Sequence, residues 1–269
     1  MLPHLDALAR RAELAGLNAA SAPREAHVDG WLLRLSPGHA RRSRCVNAIA
    51  AGSLPLQEIL RRCRAAFDQA GLPLILRLTP FSQPADLAQQ LDALGWRAFG
   101  PSEVWVLPTL DGFDEDGGLE ALSSAEYAEL IGGLRGSDAA EIDGHARRLE
   151  QATVRHQAFR LVRDGELLAC GQVAIDPAID PATHPLSDGS SPGAMAGLFD
   201  IFTPPAQRGR GHGRQLCAAL LAVARRQGAT TGYLQVAAEN EAAKRLYAAL
   251  GFQRAYDYHY RSDDPRTWD

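Results

Sequence analysis

Residues 207 to 214 read Gln-Arg-Gly-Arg-Gly-His-Gly-Arg, with glycines at 209, 211 and 213. Glycines at alternate positions leave the backbone N–H groups around them with no side chain in front. An apolar stretch, Gly197 to Thr203, runs up to this segment and is closed by Pro204-Pro205. A helical apolar pattern follows over Leu216 to Ala224 and ends at Gly228. The segment therefore joins a strand to the first turn of a helix. Such a turn has unsatisfied N–H groups and the positive end of the helix dipole, and together these attract phosphate. Arg208, Arg210 and Arg214 add positive charge. A Walker loop needs Gly-Lys-Ser/Thr, but Gly213 is followed by Arg214 and Gln215. A dinucleotide fingerprint needs its third glycine three residues after the second, where Arg214 stands.

What remains is Arg-x-x-Gly-x-Gly, met by Arg208, Gly211 and Gly213, with Pro205 three residues before Arg208. A flexible surface turn would account for the glycines alone. A second stretch separates the two readings. Asn240 to Phe252 follows the apolar strand Tyr233 to Val236. Asn240 can cap a helix and Glu241 suits its first turn. Ala243, Leu246, Tyr247 and Leu250 share one face, and Gly251 ends the helix. The two stretches, in this order, resemble the coenzyme A loop and the Asn…Leu-Tyr…Leu-Gly-Phe pattern of the GNAT superfamily of N-acetyltransferases. The resemblance covers roughly residues 158 to 260.

That resemblance implies an acyltransferase that uses acetyl-CoA as co-substrate and an amine as acceptor, with direct attack of the amine on the thioester. The N–H groups of Gly209, Arg210, Gly211, His212, Gly213 and Arg214 would hold the pyrophosphate. The main chain of Ile201, Phe202 and Thr203 would pair with the pantetheine arm, Thr203 departing from the usual aliphatic residue. Asn240 would contact the pantetheine or cap its helix, and Tyr247 would face the leaving sulfur. A phenol titrates near ~10 and a thiol near ~8.5, so full proton transfer from Tyr247 runs uphill by about 2 kcal/mol. A hydrogen bond that strengthens as charge grows on sulfur is the role expected of it. Some relatives carry a glutamate five residues before the motif asparagine; here Gln235 stands there. Asp200 is then the candidate base, with His259 and water behind it. No metal site is expected.

The elements that must position these residues read along the chain as follows. Residues 2 to 17 show helical spacing; Gly30 to Ser36 is a strand with a turn at Pro37-Gly38, and Arg44 to Ala51 is a return strand. Leu56 to Ala70 is a helix, Leu74 to Thr79 a buried strand, Pro84 to Leu94 a helix, and Val104 to Leu107 a strand. Leu119 to Ile131 and Asp138 to His156 read as helices. Asp164-Gly165 marks a tight hairpin between Phe159–Arg163 and Leu167–Ile175. Asp176 to Gly193 is an exposed loop, either bordering the acceptor or a plain insertion. Aligning Leu94-Gly95-Trp96 with Leu250-Gly251-Phe252 matches helix to helix and strand to strand, as a duplication or as any two βαβ units would. Ser53 to Glu58 then lie opposite the glycine loop without a glycine, and Leu91 lies opposite Tyr247. The part around Gly30 to Arg34 also resembles the N-terminal half of some bacterial GNAT proteins.

The expected fold is therefore α/β (α+β). Two GNAT-like mixed β-sheets flanked by helices pack together, and the C-terminal one carries an intact acetyl-CoA site. The expected domains are 1–110, a degenerate GNAT-like half, and 119–269, the catalytic one, with an acidic, glycine-rich linker from Asp111 to Gly118. Composition agrees with a globular chain of 269 residues, 46% hydrophobic and 22% charged, with net charge −4. That balance gives no case for nucleic acid or membrane as partner. Arg41, Arg42 and Arg44 read as a solvated edge. The four cysteines are scattered and read as reduced packing residues, and no signal-like or membrane-length run is seen, so a cytoplasmic place is expected. The expected function is acetyl transfer to a primary amine of a small molecule or to an α-amino group. The alternative is a non-catalytic acyl-CoA sensor or interaction module. Nothing in the sequence sets the oligomeric state.

Overall fold

The computed structural model describes residues 3–20, 22–36, 40–115, 117–177 and 193–268. In chain order its elements begin with α1 (Pro3–Ala19), β1 (Glu25–Val28), β2 (Trp31–Arg34), β3 (Val46–Asn47), α2 (Leu56–Gln69), β4 (Leu76–Leu78), α3 (Leu87–Ala93) and β5 (Arg97–Leu107). There follow β6 (Glu120–Leu122), α4 (Ser124–Arg135), α5 (Ala139–Glu150), β7 (His156–Arg163), β8 (Glu166–Asp176) and β9 (Ala194–Phe202). The last are α6 (His212–Arg226), β10 (Ala229–Ala237), α7 (Glu241–Ala249) and β11 (Gln253–Ser262). The chain folds as two compact units, one of residues 1–19 and 104–255, the other of residues 20–103 and 256–269. These are not the linear segments 1–110 and 119–269 expected from the sequence. Helix α1 and the end of β5 join the later residues, and the end of β11 joins the earlier ones.

The unit of residues 20–103 and 256–269 is built on an Asp-Gly hairpin. Asp29 and Gly30 both take positive φ, 46° and 86°, between β1 and β2. That pairing gives the turn whose twist matches the strands it joins. Strand β2 pairs antiparallel with β3, β3 parallel with β4, and β4 antiparallel with β11 through Tyr260↔Arg77. The core holds Trp31, Leu33, Phe67, Leu76, Leu87, Leu91 and Trp96. The carboxylate of Asp29 accepts from the N–H of Ser53 at 2.8 Å and of Leu54 at 2.7 Å. These bonds hold its carboxyl below the usual range. The expected solvated arginine edge is only partly so. Arg41 lies over the Phe99 ring at 5.3 Å, and burial depresses Arg44.

The unit of residues 1–19 and 104–255 repeats that order. Asp164 and Gly165, with φ of 52° and 79°, turn β7 into β8. Strand β8 pairs antiparallel with β9 and β9 parallel with β10, while β6 flanks β7. The repeat extends to single hydrogen bonds at the helix ends. After α3, the N–H groups of Leu94 and Trp96 both reach the Leu91 carbonyl, and that of Gly95 reaches Asp92. After α7, those of Leu250 and Phe252 both reach Tyr247, and that of Gly251 reaches Ala248. Helix α6 buries Leu216, Cys217, Leu220, Leu221 and Ala224 against β8, β9 and β10. Each buried leucine contributes roughly 1.5–3 kcal/mol relative to exposure. Leu107 and Leu110 complete this core.

Helix α1 is tied to this second unit by a buried ion pair. Arg11 donates to Asp176 at 2.6 Å, both side chains being under 5% exposed, and Asn18 donates to the other carboxylate oxygen.

Three local expectations are corrected. Residues 120–122 form strand β6, and the helix expected from Leu119 starts only at Ser124. The start is set by Ser123, whose hydroxyl accepts from the Glu126 N–H while Glu126 reaches back, a complete capping box. The second helix stops at Glu150 rather than His156, which opens β7. The return strand expected over 44–51 is reduced to Val46–Asn47. The turn at Pro37-Gly38 and nearly all of the loop from 176 to 193 lie outside the described residues. All four cysteines are free and buried, as expected for packing residues.

Candidate active site

Parallel pairing between β9 and β10 ends at Leu198↔Leu234, although β9 runs on to Phe202 and β10 to Ala237. The two strands thus part over their last residues. On its other edge β9 pairs Phe199 with Gln172 and Phe202 with Cys170, so Asp200 and Ile201 stand opposite Gly171 alone. This is a bulge, and Asp200 takes φ 49° within it, a left-handed conformation uncommon for a residue with a side chain. A Cβ at Gly171 would lie 2.6 Å from Ile201 Cδ1, so any side chain there would push the Ile201 side chain aside.

The glycine loop follows. Gly209 and Gly211 take φ of 74° and 84°, and a Cβ at either would meet nothing within 4 Å. Gly211 caps α6 without any side-chain hydrogen bond. The first N–H groups of α6 therefore begin behind an exposed turn with no side chain at 209 or 211, as suits an anion site at a helix start. Gly213 serves differently. A Cβ there would press on Leu246 Cδ1 and Thr203 Oγ1, both at 3.1 Å, so glycine lets α6 pack against α7 and the end of β9. Arg208 Nε donates to the Thr203 carbonyl at 3.2 Å, and Arg210 reaches Gln207 at 3.5 Å. Arg214 is exposed and His212 half-buried. The open, uncapped turn fits the diphosphate of a coenzyme A.

Asn240 caps α7, its side chain accepting from the Ala243 N–H at 3.1 Å. Tyr247 is buried on α7, its ring 6.0 Å from that of Phe252. Burial, with Cys217 nearby, pushes its hydroxyl well above the ordinary phenol value. His259 belongs to the other unit and accepts from Arg261 Nε at 3.1 Å.

Asp200 carries neighbours that the sequence did not announce. Arg135 at the end of α4 donates to its Oδ1 at 3.2 Å, and His145 Nε2 on α5 lies 3.6 Å from Oδ2. Tyr127 donates from its hydroxyl to the Asp200 carbonyl at 3.0 Å, which holds the bulge. Burial keeps His145 below its usual value against the pull of Asp200. Arg148, one turn after His145, lies within the electrostatic reach of Asp200, and burial depresses it.

Residues 126–252 match the acetyltransferase (GNAT) family model. This segment is a GNAT acetyltransferase domain. A stretch of 65 residues is 40% identical to the uncharacterised N-acetyltransferase YobR of Bacillus subtilis (strain 168), covering 24% of this chain. The match spans 26% of that relative's length. A GCN5-related N-acetyltransferase from Kribbella flavida is similar in fold over 96% of this chain and 95% of its own, with TM-score 0.60 and 18% identity. A tandem GNAT protein from the clavulanic acid biosynthesis pathway is similar over 80% and 74%, with TM-score 0.53 and 18% identity. At that identity both likenesses concern the fold alone. Among the described residues no helix is long and apolar enough to cross a membrane.

Within the GNAT domain, the glycine loop, β9, Asn240 and Tyr247 all fall in the segment the sequence singled out. Arg135, His145, Arg148 and Tyr127 were missed. The three-residue spacing of His145 and Arg148 is visible in the sequence, but nothing local ties α4 and α5 to residue 200.

Proposed function

We propose that this chain is an N-acetyltransferase that moves the acetyl group of acetyl-CoA to a primary amine of a small molecule or to an α-amino group. The observation that carries the reading is the open turn at Gly209 and Gly211, which leads into an uncapped α6 beside the place where β9 and β10 part. In this reading the N–H groups from Gly209 to Arg214 hold the diphosphate. The main chain of Ile201, Phe202 and Thr203 lines up the pantetheine arm beside the bulge. Asn240 holds the α7 helix that carries Tyr247. Tyr247, a weaker acid than a free phenol, donates a hydrogen bond to the departing sulfur and keeps its proton. Asp200 acts at the amine as half of a pair. His145, held neutral by burial, takes the proton, and ionised Asp200 stabilises the resulting imidazolium.

The test is release of free coenzyme A thiol from acetyl-CoA across a panel of amines. Amine-dependent release is expected. Binding of acetyl-CoA with no release for any amine would favour a sensor or interaction module instead. The first half is read as a degenerate GNAT-like copy without a cofactor site.

A further inference from the structure

Three groups that are cationic or can become so converge on one carboxylate at the bulge of β9. Arg135 lies 3.2 Å and His145 3.6 Å from Asp200. Arg148 follows His145 by three residues on α5, which puts both on one face of the helix. Two permanent positive charges thus lie within the electrostatic reach of a single negative one. Asp200 spends Oδ1 on Arg135 and turns Oδ2 to His145. Arg148 is left half-buried, and among the described residues it makes no hydrogen bond and no ion pair. A partly desolvated guanidinium that feels the Asp200 charge but makes no direct hydrogen bond has N–H groups to spare, and its planar fork suits a carboxylate in two parallel hydrogen bonds. Its location matters as much as its charge. Asp200 directly precedes Ile201, where the proposed function places the thioester arm, so this cationic face borders the reacting amine. Coenzyme A brings its own anions to the α6 turn, on the far side of residues 201–203.

We infer that the acceptor is an amine carrying a carboxylate, of the amino-acid class, and that Arg148, with Arg135 beside it, receives that carboxylate. The inference rests on the proposed acetyl transfer for the position of the amine, but not for its own test. The full-length chain, with coenzyme A bound, is titrated calorimetrically with α-amino acids and with their carboxamides. Binding reads out whether or not acetyl transfer occurs. Acids are expected to bind at least about tenfold more tightly than amides, the scale of one charge-assisted hydrogen-bonded pair. Arg148→Gln should abolish that preference, and Arg148→Lys should keep part of it. Neither change should alter acetyl-CoA affinity or Tm.

Equal or tighter binding of amides overturns the inference, as does a preference that survives in Arg148→Gln. Binding of no member of either series overturns it too. A loss of acetyl-CoA affinity in Arg148→Gln would assign the guanidinium to the coenzyme and overturn it as well. Thiol release with the same compounds then speaks separately. Selective binding of acids without any release leaves this inference standing and removes the acetyl-transfer reading.

Discussion

Tyr247 is buried on a face that the sequence already marks as apolar, so its ring packs whether or not its hydroxyl works. Tyr247→Phe separates the two roles. The ring contact with Phe252 survives, and only the hydrogen bond proposed to the departing sulfur is lost. That bond is stronger in the transition state, so kcat should fall on the order of 10²-fold with acetyl-CoA binding nearly unchanged. Steady-state rates and a binding titration check both halves of the statement. Gly211 makes a complementary case. Its φ of 84° is strained for any residue with a Cβ, and most of all for a β-branched one. Gly211→Val should distort the turn and weaken acetyl-CoA binding by roughly tenfold or more, on the scale of one or two kcal/mol of backbone strain. Nothing lies within 4 Å of its Cβ position. The effect should therefore appear in binding more than in Tm.

At the scale of elements, legibility followed locality. Helices α2 and α7 are legible nearly to the residue and α6 at its end, because each has a continuous apolar face and a glycine just beyond its end, while α6 begins four residues before its apolar pattern. The Asp164-Gly165 hairpin was read as well. The same dipeptide at 29–30 was passed over, since β1 before it alternates only weakly. Strand β6 was read as helix because three residues carry no period; the capping box at Ser123 was the available signal. The site's cationic face was not legible, because it forms only when α5 packs near a bulge some fifty residues later. Asp29 gives this scale a pH dependence. Its folded-state carboxyl is held below the usual value by the Ser53 and Leu54 N–H groups. The stability it adds is therefore fully present above about 3.9, the ordinary carboxylate value, and is lost as pH falls through the lowered one. Trp31, Trp96 and Trp268 report on the unit of residues 20–103 and 256–269. In an acid titration of tryptophan emission, Asp29→Asn should weaken the unit at neutral pH and flatten its acid dependence. An unchanged acid midpoint would count against the assignment.

For the whole molecule, the repeat of hairpin, parallel pair and helix ends fits two copies of one plan, and in the proposed reading only the later copy holds a cofactor. At the place opposite Gly209 and Arg210, the N–H groups of Ser53 and Leu54 are already taken by the chain's own carboxylate. Calorimetry should therefore find one acetyl-CoA per chain, and two equal sites would contradict it. The units do not follow the linear halves, so cutting at the linker should not yield a working domain. A fragment of residues 119–269 loses Leu107 and Leu110 from its core and strips Arg11 from buried Asp176. Removing one partner of a buried pair costs about 3–5 kcal/mol. The fragment should be insoluble or inactive, and normal turnover by it would refute this. The same interleaving sets a timetable for synthesis on the ribosome. Strand β4 waits with one edge unpaired while nearly all the remaining chain is translated, because its neighbour β11 lies at residues 253–262. An unpaired strand edge invites pairing with other chains. Nascent or prematurely terminated chains should thus be the aggregation-prone form of this protein, and the finished chain should not.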